Sequence, residues 1–226
     1  MQPSDLNSSS SMTQAQTRKS SSDSTGSNPR CFNIQICGNS SVGKTSIIHR
    51  LIYDNYLENT VITLGVNYYK KNFVIQGEPI SVTIHDTSGQ ERYIDITKQS
   101  VRKADALILV YDKMSEQSFQ DLESLWISQF DKIIDLTSIP LLLIGNKSDL
   151  YSQKKLEQVS YDQADQFARQ YNMAFFETSA LSGAQIQNAF DSLVQRLFLS
   201  NKYKKNPPVS IQKKKKGSIG SKKGCC

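Results

Sequence analysis

Gly38-Asn39-Ser40-Ser41-Val42-Gly43-Lys44-Thr45 sets four residues between two glycines and follows the second at once with a lysine and a hydroxyl. In a loop of this kind that opens onto a helix, successive backbone N–H groups converge on phosphate oxygens, and the helix N-terminus adds its positive dipole end. Lys44 then reaches the outer phosphates and the Thr45 hydroxyl ligates magnesium. A chance glycine-rich turn is the bland alternative. It loses weight because an apolar strand pattern precedes the loop and an amphipathic helix pattern follows it. Ser40, Ser41, Val42, Gly43, Lys44, Thr45 and Ser46 are the expected phosphate-binding residues.

The base is read elsewhere. Asn146-Lys147-Ser148-Asp149 and Glu177-Thr178-Ser179-Ala180 close two further apolar runs, so both lie at the sheet edge that carries the loop. Ligands of doubly wound sheets sit beyond the carboxyl ends of the strands, which brings the three motifs together by topology. Asp149 can accept from both the ring N–H and the exocyclic amine of guanine, a pair that adenine does not offer. Asn146, Lys147, Asp149, Ser179, Ala180 and Leu181 form the expected guanine site. Asp86-Thr87-Ser88-Gly89-Gln90-Glu91 follows another strand. There a carboxylate can hold magnesium through water, the Gly89 N–H can meet a terminal phosphate, and Gln90 can orient the attacking water. Phosphoryl transfer asks for positioning and charge stabilisation more than covalent chemistry, so a neutral amide suffices. Thr63 sits in the loop after the first helix. A second hydroxyl that reaches magnesium only beside a terminal phosphate would couple this loop to nucleotide state.

These residues need strands and helices to hold them. Apolar runs at Phe32–Cys37, Tyr68–Ile75, Ile80–Asp86, Ala106–Asp112, Pro140–Asn146 and Ala174–Thr178 predict six strands. Gln76-Gly77-Glu78-Pro79 is too short for a crossover, so the second and third form an antiparallel hairpin in an otherwise parallel sheet. Helices are expected over Lys44–Asp54, within Tyr93–Lys103, and over Glu116–Leu136, Tyr161–Tyr171 and Ala184–Leu199, with Ser115 and Ser160 as N-caps. The fold class is α/β, doubly wound, with helices on both faces of the sheet.

Composition limits the alternatives. The chain has 226 residues, 38% of them hydrophobic, which suits one domain with tails. Residues 1–30 are rich in Ser, Thr, Gln and Asn and are expected to be disordered. No apolar run approaches the roughly 20 residues that span a bilayer, and no secretory signal pattern is present. Two histidines make a histidine metal site or a Ser-His-Asp triad improbable, and four cysteines do not make a disulfide framework; Cys31 and Cys37 read as core residues. The formal charge of +6 is unevenly placed: residues 200–226 hold nine lysines and no acid, whereas residues 31–199 carry 15 basic and 19 acidic side chains. A basic tail on a mildly acidic body points to an anionic membrane surface rather than to a nucleic-acid-binding face.

Taken as a set, these motifs over residues 31–199 resemble the Ras superfamily. Leu64-Gly65-Val66-Asn67-Tyr68, Gln90-Glu91-Arg92-Tyr93 and Leu109-Val110-Tyr111-Asp112 are similar to the Rab branch. The resemblance implies that Tyr56 packs on the guanine, that Thr63 is the first-switch magnesium ligand and that Gln90 is the catalytic glutamine. It implies a GTP/GDP-cycling hydrolase, expected to be monomeric, peripheral on the cytosolic face of an endomembrane and acting in vesicle traffic. Its partners would be effectors, an exchange factor, a GTPase-activating protein, an escort protein and a GDP dissociation inhibitor. Cys225 and Cys226 look like a geranylgeranylation pair, backed by Lys213–Lys216 and Lys222–Lys223. A nuclear-localisation run is the rival reading of those lysines, and a non-hydrolysing scaffold is the rival of the switch. Three residues depart from the Rab pattern: His85 and Ser100 stand where aromatics are usual beside Tyr68, and Ser88 stands where alanine is usual.

Overall fold

The computed structural model describes residues 29–200 other than 57, 59–62, 64, 91–92 and 154–157, and at 151–153 the backbone alone. The serine-rich extension up to residue 28, the lysine tail from residue 201 with Cys225 and Cys226, and Leu64, Glu91 and Arg92 lie outside the described residues. Six strands form one sheet in the order β2-β3-β1-β4-β5-β6: β1 (Arg30–Cys37), β2 (Val66–Ile75), β3 (Glu78–Thr87), β4 (Ala106–Asp112), β5 (Leu141–Asn146) and β6 (Ala174–Glu177). Only β2 runs antiparallel, beside β3.

Strand side chains alternate between faces, and a parallel sheet buries both. In β4, Ala106, Ile108 and Val110 enter one core layer with α1 (Lys44–Tyr53) and α6 (Ile186–Leu199), while Leu107, Leu109 and Tyr111 enter the other. That second layer is closed by residues of α2 (Ile94–Val101), of the helical stretch from α3 (Glu116–Asp121) to α4 (Ser128–Phe130), and of α5 (Tyr161–Gln170). The apolar stripe of α6, Ile186, Ala189, Phe190, Leu193, Val194 and Leu197, follows the i, i+3, i+4, i+7 spacing of a helix with one buried face. Among the described residues no helix is long and apolar enough to cross a membrane.

Several boundaries differ from expectation for identifiable reasons. The β2–β3 hairpin closes over Gln76 and Gly77 alone, both at positive φ, as a two-residue turn matched to strand twist requires, so β3 starts at Glu78, while at the far end of the ladder Val66 pairs with Thr87 and lengthens both strands. The third helix does not run unbroken to Leu136. Between α3 and α4 it widens into a π-helical segment, Leu122–Ile127, and it stops at Phe130. Ile133 N and Ile134 N both donate to Phe130 O, and Asp135 then caps a separate 3-10 turn over Leu136–Ser138 by accepting from Thr137 N. Ser124 and Ser128 return their hydroxyls to the carbonyls of Gln120 and Ser124, which loosens the regular ladder. The Ser160 cap is a full capping box with Gln163, and Ser115 accepts from Ser118 N. Cys37 is buried and its thiol is pushed up to about 12 by desolvation, but Cys31 is exposed. Cys31 pairs with Ser81 near the start of β1 and its thiol donates to Pro29 O at 3.5 Å, so its expected place in the core is corrected.

Candidate functional site

The carboxyl ends of β1, β3, β5 and β6 gather the predicted residues at one edge of the sheet. The loop after β1 curls around Lys44, whose ammonium is buried and donates to Gly38 O at 2.8 Å and Asn39 O at 2.7 Å. Burial lowers Lys44 from the usual lysine range to about 8, opposed by the nearby Asp86 charge. Gly43 closes the loop at φ 97, where a Cβ would sit 2.3 Å from Asn146 Nδ2, so both its torsion and its space demand glycine. Ser40 and Ser41 face outward, Val42 and Ser46 are buried, and α1 begins at Lys44. Its N-terminus points into the same loop.

Three oxygen-bearing side chains from separate elements meet beside this helix end. Thr45 Oγ1 donates to Asp86 Oδ2 at 2.7 Å and lies 3.0 Å from Thr63 Oγ1, and Thr63 Oγ1 donates to the same carboxylate oxygen at 3.5 Å. Asp86 is fully buried, and its other oxygen, Oδ1, has no hydrogen-bond partner among the described residues. Burial raises its carboxyl above the ordinary range, partly offset by the Thr45 hydroxyl, by Lys44 and by the Thr63 hydroxyl. A buried carboxylate with an orphaned oxygen next to two hydroxyls is a hard-oxygen donor set, which fits magnesium completed by phosphate and water. Beyond Asp86 the chain turns through Ser88, Gly89 and Gln90. Ser88 is buried, and its hydroxyl accepts from Gln90 N at 3.4 Å, so the extra oxygen at this position serves the turn itself.

On the other side of the loop a cavity of about 380 Å³ is lined by Tyr56, Lys147, Asp149, Ala180 and Leu181, among others. Lys147 adopts positive φ at the end of β5 and its ammonium pairs with Asp112 Oδ2 at 2.7 Å. That turn brings Asp149 to Ser179, whose hydroxyl donates to the Asp149 carboxylate. Asn146 is almost wholly buried and joins three segments: its Nδ2 donates to Val42 O at 2.9 Å, while Oδ1 accepts from Ala180 N at 3.2 Å and Thr178 Oγ1 at 3.3 Å. The phosphate and guanine loops are therefore tied by one amide. Arg50 supplies a second tie that spacing alone does not suggest. From the last turn of α1, its guanidinium donates to Ala180 O at 3.0 Å and Leu181 O at 2.6 Å. Arg50 and Ala180 lie 130 positions apart, and no local pattern marks the pair.

Two of the three positions that depart from the Rab pattern, His85 and Ser100, form a polar set with Asn33. His85 Nδ1 lies 2.9 Å from Ser100 Oγ, and its Nε2 lies 3.2 Å from Asn33 Oδ1. Tyr68 meets the imidazole edge-on with ring centroids 4.8 Å apart and remains largely exposed. Burial lowers the His85 imidazole, partly opposed by Asp105, which favours the neutral ring.

Comparison with known proteins agrees with this architecture. The Ras family model matches residues 33–199. The chain is 37% identical to Ras-related protein Rab-15 of Bos taurus over 164 residues, 73% of this chain and 75% of that protein. It is 35% identical to Ras-related protein Rab-13 of Bos taurus over 170 residues, 75% and 81% of the two chains. It is 32% identical to GTP-binding protein YPT1 of Saccharomyces cerevisiae over 203 residues, 86% of this chain and 96% of that one. With a six-stranded sheet reversed only at β2 and the phosphate-loop signature opening α1, the chain belongs to the Rab family of the Ras superfamily and is a GTP hydrolase.

Proposed function

We propose that this GTPase is a magnesium-dependent, membrane-attached switch that recruits effectors during vesicle-mediated transport. The observation that carries the nucleotide part of the reading is the orphaned Asp86 Oδ1 beside the Thr45 and Thr63 hydroxyls. Thr45 and Thr63 would hold the metal directly and Asp86 through water. Magnesium, when bound, neutralises phosphate charge. The protein's own part is to place Lys44 and the loop N–H groups on the outer phosphates, with Gly89 N–H at the terminal one. Gln90 orients the attacking water, Asp149 reads the guanine edge, Tyr56 covers the ring, and the Ala180 and Leu181 segment closes the base site. Thr63 and Gln90 belong to the two loops that would order in the GTP state, so partners sense the nucleotide by reading those loops.

Metal dependence tests this assignment. Chelating magnesium should speed GDP release from the wild type by about two orders of magnitude, because metal–phosphate contacts are worth several kcal/mol. Thr45→Ala should release GDP fast in either condition, with a chelation effect of about tenfold or less. Stopped-flow fluorescence of a labelled GDP measures both. A Thr45→Ala protein that responds to chelation like the wild type would sink the metal assignment.

Membrane attachment rests on Cys225 and Cys226, on the lysines that precede them and on the Rab resemblance. One lipid chain gives marginal binding, whereas two chains, or one chain with basic charge, give stable attachment. The lysines each add about 1 kcal/mol near an anionic surface. The Cys225→Ser, Cys226→Ser double variant should move from the membrane pellet to the supernatant in cell fractionation and lose its organelle pattern in imaging. Unchanged pelleting would refute lipid attachment at these residues. Exchange factor, GTPase-activating protein, escort protein and GDP dissociation inhibitor are the regulators that the family resemblance implies.

A further inference from the structure

The Asn39 side chain has no part in the roles above, yet it is held from two sides by the third helix. Trp126 Nε1 donates to Asn39 Oδ1 at 2.8 Å, and Asn39 Nδ2 donates to Asp121 Oδ2 at 2.5 Å. An indole N–H only donates and a carboxylate only accepts, so the orientation of the amide is determined. Trp126 is fully buried and packs against Phe130, with ring centroids 5.9 Å apart, which leaves its N–H no route to solvent. The second oxygen of Asp121 accepts from Gln117 Nε2 at 2.8 Å, fixing the carboxylate in turn.

The spacing of the two holding residues matters. Asp121 and Trp126 are five positions apart, and at about 3.6 residues per turn a regular α-helix would set them roughly 140° apart around its axis. Here the helix is π-helical over Leu122–Ile127, and Ser128 N donates back to Glu123 O, five residues earlier. A π turn, hydrogen-bonded from i to i+5, narrows that angle, and here both side chains reach one target. That target is the joint of the loop. Asn39 O accepts from Lys44 Nζ, and Gly89 packs so closely on it that a Cβ there would lie 2.4 Å from both Asn39 O and Lys44 Nζ.

We infer that the π-helical segment is a positioning device for the phosphate loop: Asp121 and Trp126, acting through the Asn39 carboxamide, fix the carbonyl that aims Lys44. The inference rests on reading residues 38–45 as the phosphate-binding loop. Asp121 and Trp126 touch no substrate and act as positioning residues.

GDP release from the full-length protein, with single-turnover GTP hydrolysis and thermal midpoints alongside, tests the clamp. Trp126→Phe keeps an aromatic ring and loses the N–H, and it should speed GDP release about tenfold, because a polar oxygen loses its partner in a buried setting. Asn39→Asp sets two carboxylates against each other and should speed release by at least about tenfold. Asp121→Asn alone should stay near wild type, since its carbonyl oxygen still accepts. Combined with Asn39→Asp, it restores a donor–acceptor pair of reversed polarity and should return release to within about twofold of wild type. A general loss of helix stability would make the two changes add instead of cancel. The clamp is overturned if Asn39→Asp and the double variant release GDP equally fast, or if folded Trp126→Phe releases at the wild-type rate. Should Trp126→Phe fail to fold, the Asn39 and Asp121 pair decides. Lys44→Ala separates the two levels: wild-type GDP retention by Lys44→Ala would refute the phosphate-loop reading itself. Loss of GDP by Lys44→Ala with wild-type release from Asn39→Asp would refute the clamp alone.

Discussion

Replacing Asp149 by asparagine is expected to lower GDP affinity by about two to four orders of magnitude while creating affinity for xanthine nucleotides. In the proposed base site the carboxylate accepts from two guanine donors, and hydrogen bonds to a charged group contribute about 1.5–3 kcal/mol each. Losing both removes about 3–6 kcal/mol, and an amide N–H₂ turned toward the exocyclic amine adds a donor–donor clash. Xanthine carries a carbonyl where guanine carries that amine and keeps the ring N–H. The amide introduced by Asp149→Asn would thus accept from the ring and donate to the new carbonyl. The Ser179 hydroxyl, which donates to Asp149 Oδ1, finds an oxygen on the amide as well, so the side chain should keep its place. Competition binding of GDP and XDP to wild-type and Asp149→Asn proteins reads the exchange. Equal loss of both nucleotides would mean that Asp149 supports the loop without reading the base.

That swap is simple to foresee because Asp149 lies in a four-residue motif at a strand end. The strongest signals in this chain are of the same kind, and each owes its legibility to the apolar strand run that precedes it: Lys44 and Thr45 beyond β1, Asp86 at the end of β3, Asp149 beyond β5, Ser179 beyond β6. The end of an apolar run places a strand's last residue, and the topology of a parallel sheet collects the ends. Contacts between elements leave no such trace. Arg50 grips Ala180 and Leu181 across the whole sequence, and in isolation it reads as a solvated residue on the last turn of α1. The Asn39 amide is oriented by a tryptophan and an aspartate whose spacing, five, belongs to neither the helical nor the strand period. A 3.6-residue pattern therefore extends the third helix to Leu136, because apolar residues continue past Phe130, and it hides the π segment that sets the register toward the loop. The same limit explains Cys31. Alternation along β1 is plain, but whether the face at Cys31 is covered is a tertiary fact.

The missing aromatics beside Tyr68 show where reading by composition and reading by geometry diverge. Counting residue types predicts a weakened apolar face at His85 and Ser100. The geometry adds that the replacements bond to each other and to Asn33, so the surface is a satisfied polar network rather than a depleted apolar one. Such a network resists being covered by an apolar partner unless its donors and acceptors are matched. Under the proposed switch reading, the substitution bears on which partners dock, since the polar atoms of His85 are already bonded within the protein.

Gln90→Leu carries the second large effect, and Ser88 makes it informative. If Gln90 positions the attacking water, Gln90→Leu should slow single-turnover GTP hydrolysis by about a hundredfold, the scale of a lost positioning group, and leave GDP release within about twofold of wild type. Gln90 follows the turn that Ser88 helps close, the Ser88 hydroxyl accepting from Gln90 N while Ser88 N donates to Gly65 O at 3.2 Å. Ser88 is buried, and its hydroxyl bond to Gln90 N lies within that turn. Ser88→Ala removes one long hydrogen bond, worth about 1 kcal/mol or less, and should change hydrolysis by no more than about fivefold. The two variants together discriminate: a direct role for Gln90 predicts a large effect at 90 and a small one at 88. A turn that works only as a unit predicts similar losses at both. Hydrolysis by the Gln90→Leu protein at the wild-type rate would remove Gln90 from the reaction and leave charge stabilisation by Lys44 and the metal as the source of turnover.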